Sequence, residues 1–346
     1  MSRLQIAVVG AGSIGRRHIE LIDANAECVL GAIVDPAASA GAFAQARGTV
    51  AYPSLEALFA DVLPDGVIVA TPNGLHVRNG LDCVRKGVPV LVEKPIAASV
   101  ADAMQLVGAA EQAGVPLLVG HHRRHSPLII RTRALLEQGV LGKLVAVTGA
   151  ALFYKPDEYF AEAPWRGQPG GGPILINMIH EIDDLRALCG EIVAVQAFAS
   201  NATRGLGVED TVAINLRFAS GALGTFMMSD TVAATKSWEQ TSAENANYAN
   251  YPDEDCYLLA GTQASIGVPS MRVFSFTGER SWYVPMQASV AAVERADPLA
   301  RQLDHFCAVI RRKALPLVTG RDATRTLAVT LAISEAAKTG RSISME

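Results

Sequence analysis

Through the first 120 residues, short apolar runs alternate with stretches of helical character. The apolar runs predict strands at Leu4–Val9, Val29–Val34, Gly66–Ala70, Val88–Val92 and Pro116–Val119. The stretches between them predict helices at Arg16–Asp23, Ala38–Ala46, Leu55–Phe59, Val77–Arg85 and Val100–Ala113. Short apolar strands separated by helices are typical of a parallel sheet that is covered on both faces. The pattern therefore predicts an α/β domain with a doubly wound parallel sheet over residues 1–120.

After Pro127 the pattern changes to longer strands with fewer helices between them. It predicts strands at Leu144–Leu152, Ile192–Ser200, Val208–Phe218 and Ala222–Ser229, and helices at Leu128–Gln138, Ile174–Leu188, Leu299–Arg311 and Thr324–Lys338. Residues 230–255 are polar and predict a long loop or lid. Residues 121–346 are therefore expected to form an α+β domain with a large, open, mostly antiparallel sheet. Whether its C-terminal helices pack against the first domain stays open.

Composition narrows the class of protein. The 346 residues carry a net charge of −4, without the basic stripe expected of a nucleic-acid-binding protein. No apolar segment has the length of a membrane span or of a secretory signal core. The five cysteines are scattered and lack a C-x-x-C pair, which is typical of reduced thiols rather than of a zinc site. We expect a cytoplasmic protein with no nucleic-acid or membrane partner.

A glycine-rich turn follows the first predicted strand and opens the first predicted helix. It reads Gly10-Ala11-Gly12-Ser13-Ile14-Gly15 and matches the G-x-G-x-x-G pattern of dinucleotide-binding Rossmann domains. The first glycine permits the tight turn, the second lets the backbone approach a pyrophosphate, and the third allows close packing of helix and strand. The predicted cofactor-binding residues of this turn are Gly10, Gly12, Ser13, Ile14 and Gly15.

Asp35 ends the second predicted strand, twenty residues after the turn. A carboxylate there accepts hydrogen bonds from a ribose 2′-hydroxyl and repels a 2′-phosphate. The next four residues supply no cation that could bind such a phosphate. NAD is therefore favoured over NADP, although Arg16 and Arg17 could fold over an adenine or a phosphate.

Two further loops follow predicted strands and so lie at the edge of the sheet where ligands bind. The first reads Thr71-Pro72-Asn73-Gly74-Leu75-His76, and the second reads Glu93-Lys94-Pro95. Pro95 favours an extended backbone at Lys94 and presents this lysine at the tip of its strand. A lysine there could hold a substrate hydroxyl, but by itself it would more simply be a solvated surface residue.

The order of motifs along nearly the whole chain is more specific than any one of them. The glycine turn, T-P-N-x-x-H and E-K-P are followed by Gly120, Arg123-Arg124, Trp165-Arg166, Gly170-Gly171-Gly172, His180 with Asp183, Gly261-Thr262 and Thr339-Gly340-Arg341. This order resembles the glucose–fructose oxidoreductase/inositol dehydrogenase (Gfo/Idh/MocA) family.

The resemblance implies roles for residues at matching positions. Lys94 would contact the reacting hydroxyl near the nicotinamide. His180 would accept the proton when an alcohol is oxidised and return it in reduction, a task suited to an imidazole. The residues that would line the cofactor are Thr71, Pro72, Asn73, His76 and Glu93. The residues that would contact substrate are Lys94, Arg123, Trp165, Asn177, His180 and Asp183.

The chain departs from the family pattern beside this histidine. The family usually has an aspartate four residues before it, and Ile176 stands there instead, with Asn177 next to it. An isoleucine side chain has no hydrogen-bonding group, whereas Asn177 can orient a hydroxyl but cannot act as a base. This departure puts a simple transfer of sugar or inositol specificity in doubt.

The segment His121-His122-Arg123-Arg124-His125 permits several interpretations. Its arginines suit a carboxylate or phosphate, which a guanidinium binds through two parallel hydrogen bonds. A structural role is an equal alternative. The histidines suggest a metal, but no accompanying acid or cysteine cluster supports one, and we expect none.

These features predict an NAD-dependent dehydrogenase that oxidises a secondary hydroxyl of a cyclic polyol, sugar or hydroxy acid. One alternative is a hydrolase or lyase that retains NAD and oxidises its substrate transiently. Another is a dinucleotide-sensing protein without turnover. The resemblance and the open sheet together predict a homodimer or homotetramer.

Overall fold

The computed structural model describes residues 2–345, and the chain divides into two compact units. The first unit comprises the chain up to His122 together with Pro298–Ala328. The second comprises Arg123–Asp297 and the chain from Val329 onward. The sequence pattern predicted a division after residue 120 and left open whether the C-terminal helices pack against the first domain. The structure groups residues 298–328 with the first unit.

The first unit is built on a parallel sheet of six strands. These are β1 (Leu4–Val9), β2 (Cys28–Val34), β3 (Val50–Tyr52), β4 (Gly66–Val69), β5 (Val90–Val92) and β6 (Leu117–Val119). Their order across the sheet is β3-β2-β1-β4-β5-β6. Successive strands are added on one side of β1 as far as β3 and on its other side from β4, so the strand order reverses between β1 and β4. Ligands of such sheets bind beyond the carboxyl ends of the strands at this reversal. The glycine-rich turn follows β1 and therefore lies at that position.

Helices cover both faces of this sheet, as the apolar strands require. They are α1 (Ser13–Ala24), α2 (Ser39–Gln45), α3 (Leu55–Asp61), α4 (His76–Arg85) and α5 (Val100–Ala113). Ser54 and Ser99 cap α3 and α5 by accepting backbone N–H bonds. No side chain caps α1, which leaves its first N–H groups available to a ligand.

The second unit contains a mixed sheet of ten strands, most of them antiparallel. They are β7 (Leu144–Tyr154), β8 (Ile192–Ser200), β9 (Thr211–Phe218), β10 (Leu223–Ser229), β11 (Thr231–Lys236), β12 (Tyr257–Gly261), β13 (Ala264–Val268), β14 (Arg272–Ser275), β15 (Gln287–Val290) and β16 (Ile343–Ser344). Among the described residues of this sheet, only β7 and β10 pair in parallel. The predicted fold class is therefore confirmed for both parts of the chain.

The helices of the second unit include the segment that carries His180. They are α6 (Pro127–Glu137), α7 (Asp157–Glu162), α8 (Ile179–Cys189) and α9 (Trp238–Thr241). A π-helical segment, Ile174–Met178, leads directly into α8. The sequence predicted one α-helix over both segments. Short π-helical segments of this kind are frequent at functional sites.

Two long helices complete the chain, α10 (Pro298–Ile310) and α11 (Gly320–Thr339). Within the first unit, Leu303 and Phe306 of α10 pack in the core beneath the sheet. All five cysteines are buried and free. Among residues 2–345, no helix is both long enough and apolar enough to cross a membrane.

The structure corrects two details of the sequence analysis. Residues 230–255 are not a continuous loop, because Thr231–Lys236 pairs irregularly with β7 and a short helix follows it. The polar composition of this strand concealed it. The edge strand β3 was also missed, because three residues are too few to establish a periodic pattern.

Candidate active site

The glycine-rich turn has the conformation that its sequence requires. Gly10 has a φ of +93°, and a Cβ atom there would lie 2.7 Å from the carbonyl oxygen of Ala70. A Cβ atom on Gly15 would lie 1.8 Å from the carbonyl oxygen of Gly10. Both positions exclude any larger residue, because the obstructing atoms belong to the backbone.

Gly12 differs from these two glycines because nothing lies within 4 Å of the position that its Cβ would take. Gly12 is exposed and is the N-cap residue of α1, which has no side-chain cap. The turn thus forms an open cradle at a helix N-terminus, where backbone N–H groups and the helix dipole favour a pyrophosphate. These residues fit the dinucleotide that the sequence predicts.

Asp35 lies beside this cradle at the end of β2. Its carboxylate accepts hydrogen bonds from the backbone N–H of Ala11, at 2.7 Å, and of Ala37, at 2.8 Å. Asp35 therefore fixes the glycine turn. Arg16 donates a hydrogen bond to the carbonyl oxygen of Ala11 at 3.0 Å and lies over the ring of Phe43.

Glu93 is buried beneath the loop that carries Lys94. Its carboxylate accepts a hydrogen bond from His18 Nε2 at 2.8 Å and another from the backbone N–H of Lys94 at 3.2 Å. Burial alone would raise the pKa of Glu93, but His18, His122 and Lys94 lower this pKa to about 2. The ionised carboxylate lies against Gly120, where a Cβ atom would approach it within 2.9 Å.

His76 joins the two loops that the sequence analysis singled out. Its Nδ1 lies 2.7 Å from the carbonyl oxygen of Pro95, and its Nε2 lies 2.7 Å from that of Thr71. Burial lowers the pKa of His76, and the two carbonyl groups oppose this effect. Both loops follow adjacent strands, β4 and β5. Lys94 is half-buried and follows β5 directly.

The glycine-rich segment of the second unit sets the start of the helix that bears His180. A Cβ atom on Gly171 would lie 2.6 Å from the carbonyl oxygen of Trp165. Glu209 accepts the backbone N–H of Ile174 at 2.8 Å, and this bond anchors the π-helical segment. His180 follows within the first turn of α8 and is 8% exposed.

Asn177 and Asp183 flank His180 on this helix, and the structure gives each a charged neighbour. Asn177 Oδ1 accepts a hydrogen bond from Lys155 Nζ at 2.6 Å. Asp183 is buried, and its Oδ1 lies 3.4 Å from Arg124 Nη1. Ile176 is half-buried in the π-helical segment.

Arg123 is enclosed by acidic side chains of the second unit. It is 3% exposed, and its guanidinium donates to Glu181 at 2.7 Å, Asp184 at 3.3 Å and Glu239 at 2.6 Å. Burial opposes its charge, but these carboxylates raise the pKa of Arg123 above its ordinary value. Two of the three carboxylates lie on α8, so Arg123 fixes the helix that carries His180.

Burial has the opposite effect on the acids of this cluster. It raises the pKa of Asp184 well above the ordinary range and also raises that of Glu181, against the opposing charge of Arg123. The hydroxyl of Tyr257 donates to the Glu181 carboxylate. Such a network needs every member, because a buried charge without its partner is strongly destabilising.

The remaining predicted residues do not form a cluster. Trp165 is 51% exposed in a short 3₁₀ turn, while His121 and His125 are buried in separate units. Within residues 2–345, no group of three or more histidine, cysteine, aspartate or glutamate side chains is arranged to hold a metal ion.

Several residues that support the site were not predicted from the sequence, among them His18 and Lys155. His18 had a local signal, since it lies on the buried face of α1 beside Ile19 and Ile22. Lys155 had only its place at the end of an apolar strand, which did not reveal its partner twenty-two residues later.

Both parts of the chain match sequence models of one protein family. Residues 4–121 match the oxidoreductase family with an NAD-binding Rossmann fold, GFO_IDH_MocA. Residues 129–266 match the GFO/IDH/MocA C-terminal domain. The chain belongs to the Gfo/Idh/MocA oxidoreductase family. This membership confirms the expectation of an enzyme, an oxidoreductase with an NAD-binding Rossmann domain.

Individual relatives extend over the whole chain. The protein is 30% identical over 344 residues to the 1,5-anhydro-D-fructose reductase of Ensifer adhaerens, which covers 98% of each sequence. The structure of the WlbA dehydrogenase from Bordetella pertussis in complex with NADH and UDP-GlcNAcA superposes with a TM-score of 0.80, at 26% identity, covering 100% of this chain and 99% of that one. The aldose-aldose oxidoreductase from Caulobacter crescentus complexed with glycerol gives 0.80 at 25% identity, covering 99% and 100% respectively.

Proposed function

We propose that this protein is an NAD-dependent dehydrogenase that acts on a secondary hydroxyl of a polyol, sugar or hydroxy acid. The observation that carries the proposal is the open glycine cradle, which lies at the same strand-end edge of one sheet as Lys94. Relatives named as a reductase, a dehydrogenase and an aldose-aldose oxidoreductase support this class of reaction.

The cradle, Asp35 and the Thr71–His76 loop would hold the cofactor, whose nicotinamide accepts or donates a hydride when it is bound. Lys94 donates a hydrogen bond to the reacting oxygen and favours its alkoxide form. His180 accepts the hydroxyl proton during oxidation and returns it during reduction. The His18–Glu93 and His76 contacts hold the Lys94 loop in place, so that little reorganisation is needed when substrate binds.

NAD is the proposed cofactor because of the charge beside the ribose position. Asp35 accepts two backbone N–H groups, which hold its carboxylate beside the glycine turn. A negative group there repels the 2′-phosphate of NADP and accepts the 2′-hydroxyl of NAD. Residues 36–39 contain no cation to offset this repulsion.

We also infer a homo-oligomer, supported by the open face of the ten-stranded sheet. Phe198 and Met227 pair with the same residue of β9, Ala213, and so lie side by side across three strands. They are 71% and 44% exposed, and Leu223 of the same face is 59% exposed. An apolar row of this kind is typical of a surface that pairs with another chain.

The decisive test is NADH formation by the purified protein with a panel of polyols, sugars and hydroxy acids. Lys94→Ala and His180→Ala should each lower kcat by at least about a hundredfold, because each removes a group that acts on the reacting hydroxyl. Lys86→Ala, at an exposed position, is the matched control and should retain full turnover. Unchanged turnover in both active-site variants would show that Lys94 and His180 do not have the assigned roles. Substrate cleavage without net NADH would favour the lyase alternative.

A further inference from the structure

Lys155 is a buried cation that the reaction described above does not use. It follows β7 and is 8% exposed. Its ammonium group donates to Asn177 Oδ1 at 2.6 Å, lies 3.2 Å from Asp230 Oδ2, and stands 4.9 Å from the centre of the Tyr159 ring. Burial lowers the pKa of Lys155, and Asp230 opposes this shift. The ammonium is therefore held in one position from three sides.

This contact fixes the orientation of the Asn177 side chain. An ammonium group is only a donor, so the atom of the Asn177 amide that faces Lys155 must be the oxygen. The amide nitrogen consequently faces away from Lys155. Across residues 2–345 it donates to no protein group, and Asn177 is only half-buried. Asn177 thus presents two free N–H donors and no acceptor on its open side.

The positive charge behind the amide strengthens these donors. A cation bound to an amide oxygen withdraws electron density and makes the N–H groups on the other end better donors. The Asp230 carboxylate does not cancel the charge of Lys155, because Asp230 is shared between Lys155 and Arg204. The Nε of Arg204 lies 3.1 Å from Asp230 Oδ1. The preferred acceptor for such donors is an anion, since hydrogen bonds to charged groups are about twice as strong as neutral ones.

Asn177 lies three residues before His180 in a continuous helical stretch. Residues at this spacing are neighbours on a helix surface, with Cβ atoms about 5–6 Å apart. A substrate group bound by Asn177 would therefore lie near the hydroxyl whose proton His180 accepts.

We propose that the Asn177 amide, oriented and polarised by Lys155, binds the carboxylate of the substrate. The dehydrogenase then acts on a hydroxy acid whose carboxylate lies on, or next to, the carbon that bears the reacting hydroxyl. This inference rests on the proposed function and names its substrate class. Asn177 is the binding residue, and Lys155 is a positioning residue that acts through it.

The test compares D-gluconate and D-galactonate with the matching alditols, D-glucitol and galactitol. Isothermal titration in the presence of NADH measures binding, and NADH formation measures kcat and KM. The wild type should favour the acids at least about tenfold in both Kd and kcat/KM, as expected when a charged acceptor replaces a neutral one.

Variants at the two positions separate binding from folding. Asn177→Asp presents an acceptor to the substrate and should lower affinity for the acids at least tenfold more than it lowers affinity for the alditols. Lys155→Met should raise KM for the acids with a smaller change in kcat, since the amide loses its fixed orientation. Asp230 keeps Arg204 as a partner in this variant. Lys236→Met, at a half-buried lysine of the same unit that pairs with Glu254, is the control. The melting temperature and NADH affinity of each variant report folding.

The outcomes distinguish this inference from the proposed function. If the wild type shows equal Kd and kcat/KM for acids and alditols and forms NADH from both, the carboxylate subsite is overturned but the proposed dehydrogenase activity stands. Acid binding that depends on Asn177, without NADH formation from any compound, supports the subsite and overturns the dehydrogenase. If neither acids nor alditols bind, or if Asn177→Asp binds acids as well as the wild type, the subsite is overturned.

Discussion

His18 Nε2 and Glu93 Oε1 lie 2.8 Å apart and join the helix of the glycine turn to the loop of Lys94. The carboxylate can only accept, so Nε2 of the imidazole must carry the proton. The two residues belong to different βα units, and both are buried. The pair therefore links the position of the pyrophosphate cradle to the position of the lysine.

Because of this pair, we expect the free energy of unfolding to fall at acid pH. The pKa of Glu93 is lowered to about 2 from an ordinary value of 4.5. A lowered carboxyl pKa stabilises the folded state above pH 4.5, and this contribution is lost as the pH falls towards 2. The difference corresponds to roughly 3 kcal/mol.

Glu93→Gln should therefore lower the free energy of unfolding at neutral pH by an amount of this order. It should also flatten the decline in stability between pH 4.5 and 2. Urea unfolding at a series of pH values measures both effects. Glu20→Gln, at an exposed position of α1, the helix that carries His18, should leave the pH dependence of stability unchanged. A Glu93→Gln protein with the wild-type acid dependence would show that the carboxylate is not held ionised by its neighbours.

Substitutions at two glycines should separate folding from cofactor binding. Gly15→Ala places a Cβ atom 1.8 Å from a backbone oxygen and should lower the melting temperature markedly. Gly12→Ala meets no protein atom within 4 Å, so it should fold normally but obstruct the cradle. We expect its Kd for NADH to rise at least about tenfold, a loss of 1.4 kcal/mol or more.

Calorimetry and thermal melting together check this prediction. Gly108→Ala, on α5 with open space around it, controls for the general effect of adding a methyl group to a glycine. Wild-type NADH affinity in a folded Gly12→Ala protein would place the cofactor elsewhere.

Much of the fold was predictable because its signals are local. The bounds of Leu4–Val9 and Ile192–Ser200 were predicted correctly, since each is a run of strand-forming residues ended by glycine or polar residues. The glycine turn was also predictable, because its three glycines lie within six consecutive residues. The π-helical segment before His180 was not, because its composition matches that of an ordinary α-helix.

The candidate site was less predictable because its supporting contacts join distant residues. His18 and Glu93 are seventy-five residues apart, and Arg123 and Glu239 are 116 apart. A pattern of hydrophobic and polar positions specifies which face of an element is buried, but not which polar groups meet there. The sequence therefore indicated Lys94 and His180 through resemblance, while the residues that position them emerged only from the structure.

Asp35 offers a direct test of cofactor choice. Asp35→Ser removes the negative charge and should raise the ratio of kcat/KM for NADP to that for NAD by at least about tenfold, because repulsion of the 2′-phosphate is lost. Affinity for NAD should fall at the same time, since the ribose loses its acceptor. Steady-state kinetics with both cofactors measure the ratio. Asp82→Ser, on α4, is the control and should leave it unchanged. A ratio that stays constant in Asp35→Ser would assign the preference to another residue.

Arg123 allows a structural role to be separated from substrate contact. Arg123→Met leaves Glu181 and Asp184 buried without their cation and should lower the free energy of unfolding at neutral pH by about 3–5 kcal/mol. Because burial raises the pKa of both carboxyl groups, their protonated forms favour the folded state. Stability should therefore recover as the pH is lowered, because raised pKa values favour the neutral forms of these buried acids.

Urea unfolding of Arg123→Met at pH 7 and pH 5 measures this recovery. The double variant Arg123→Met/Glu181→Gln should show part of the same gain in stability already at pH 7. Arg124→Met, whose partner Asp183 lies 3.4 Å away, is the neighbouring control and should cost less. If Arg123→Met instead lost turnover with unchanged stability, its guanidinium would contact substrate, as the sequence suggested. The four groups around it argue for the first result, because a guanidinium held by Glu181, Asp184 and Glu239 and stacked 5.4 Å from the Trp238 ring has few donors left for a ligand.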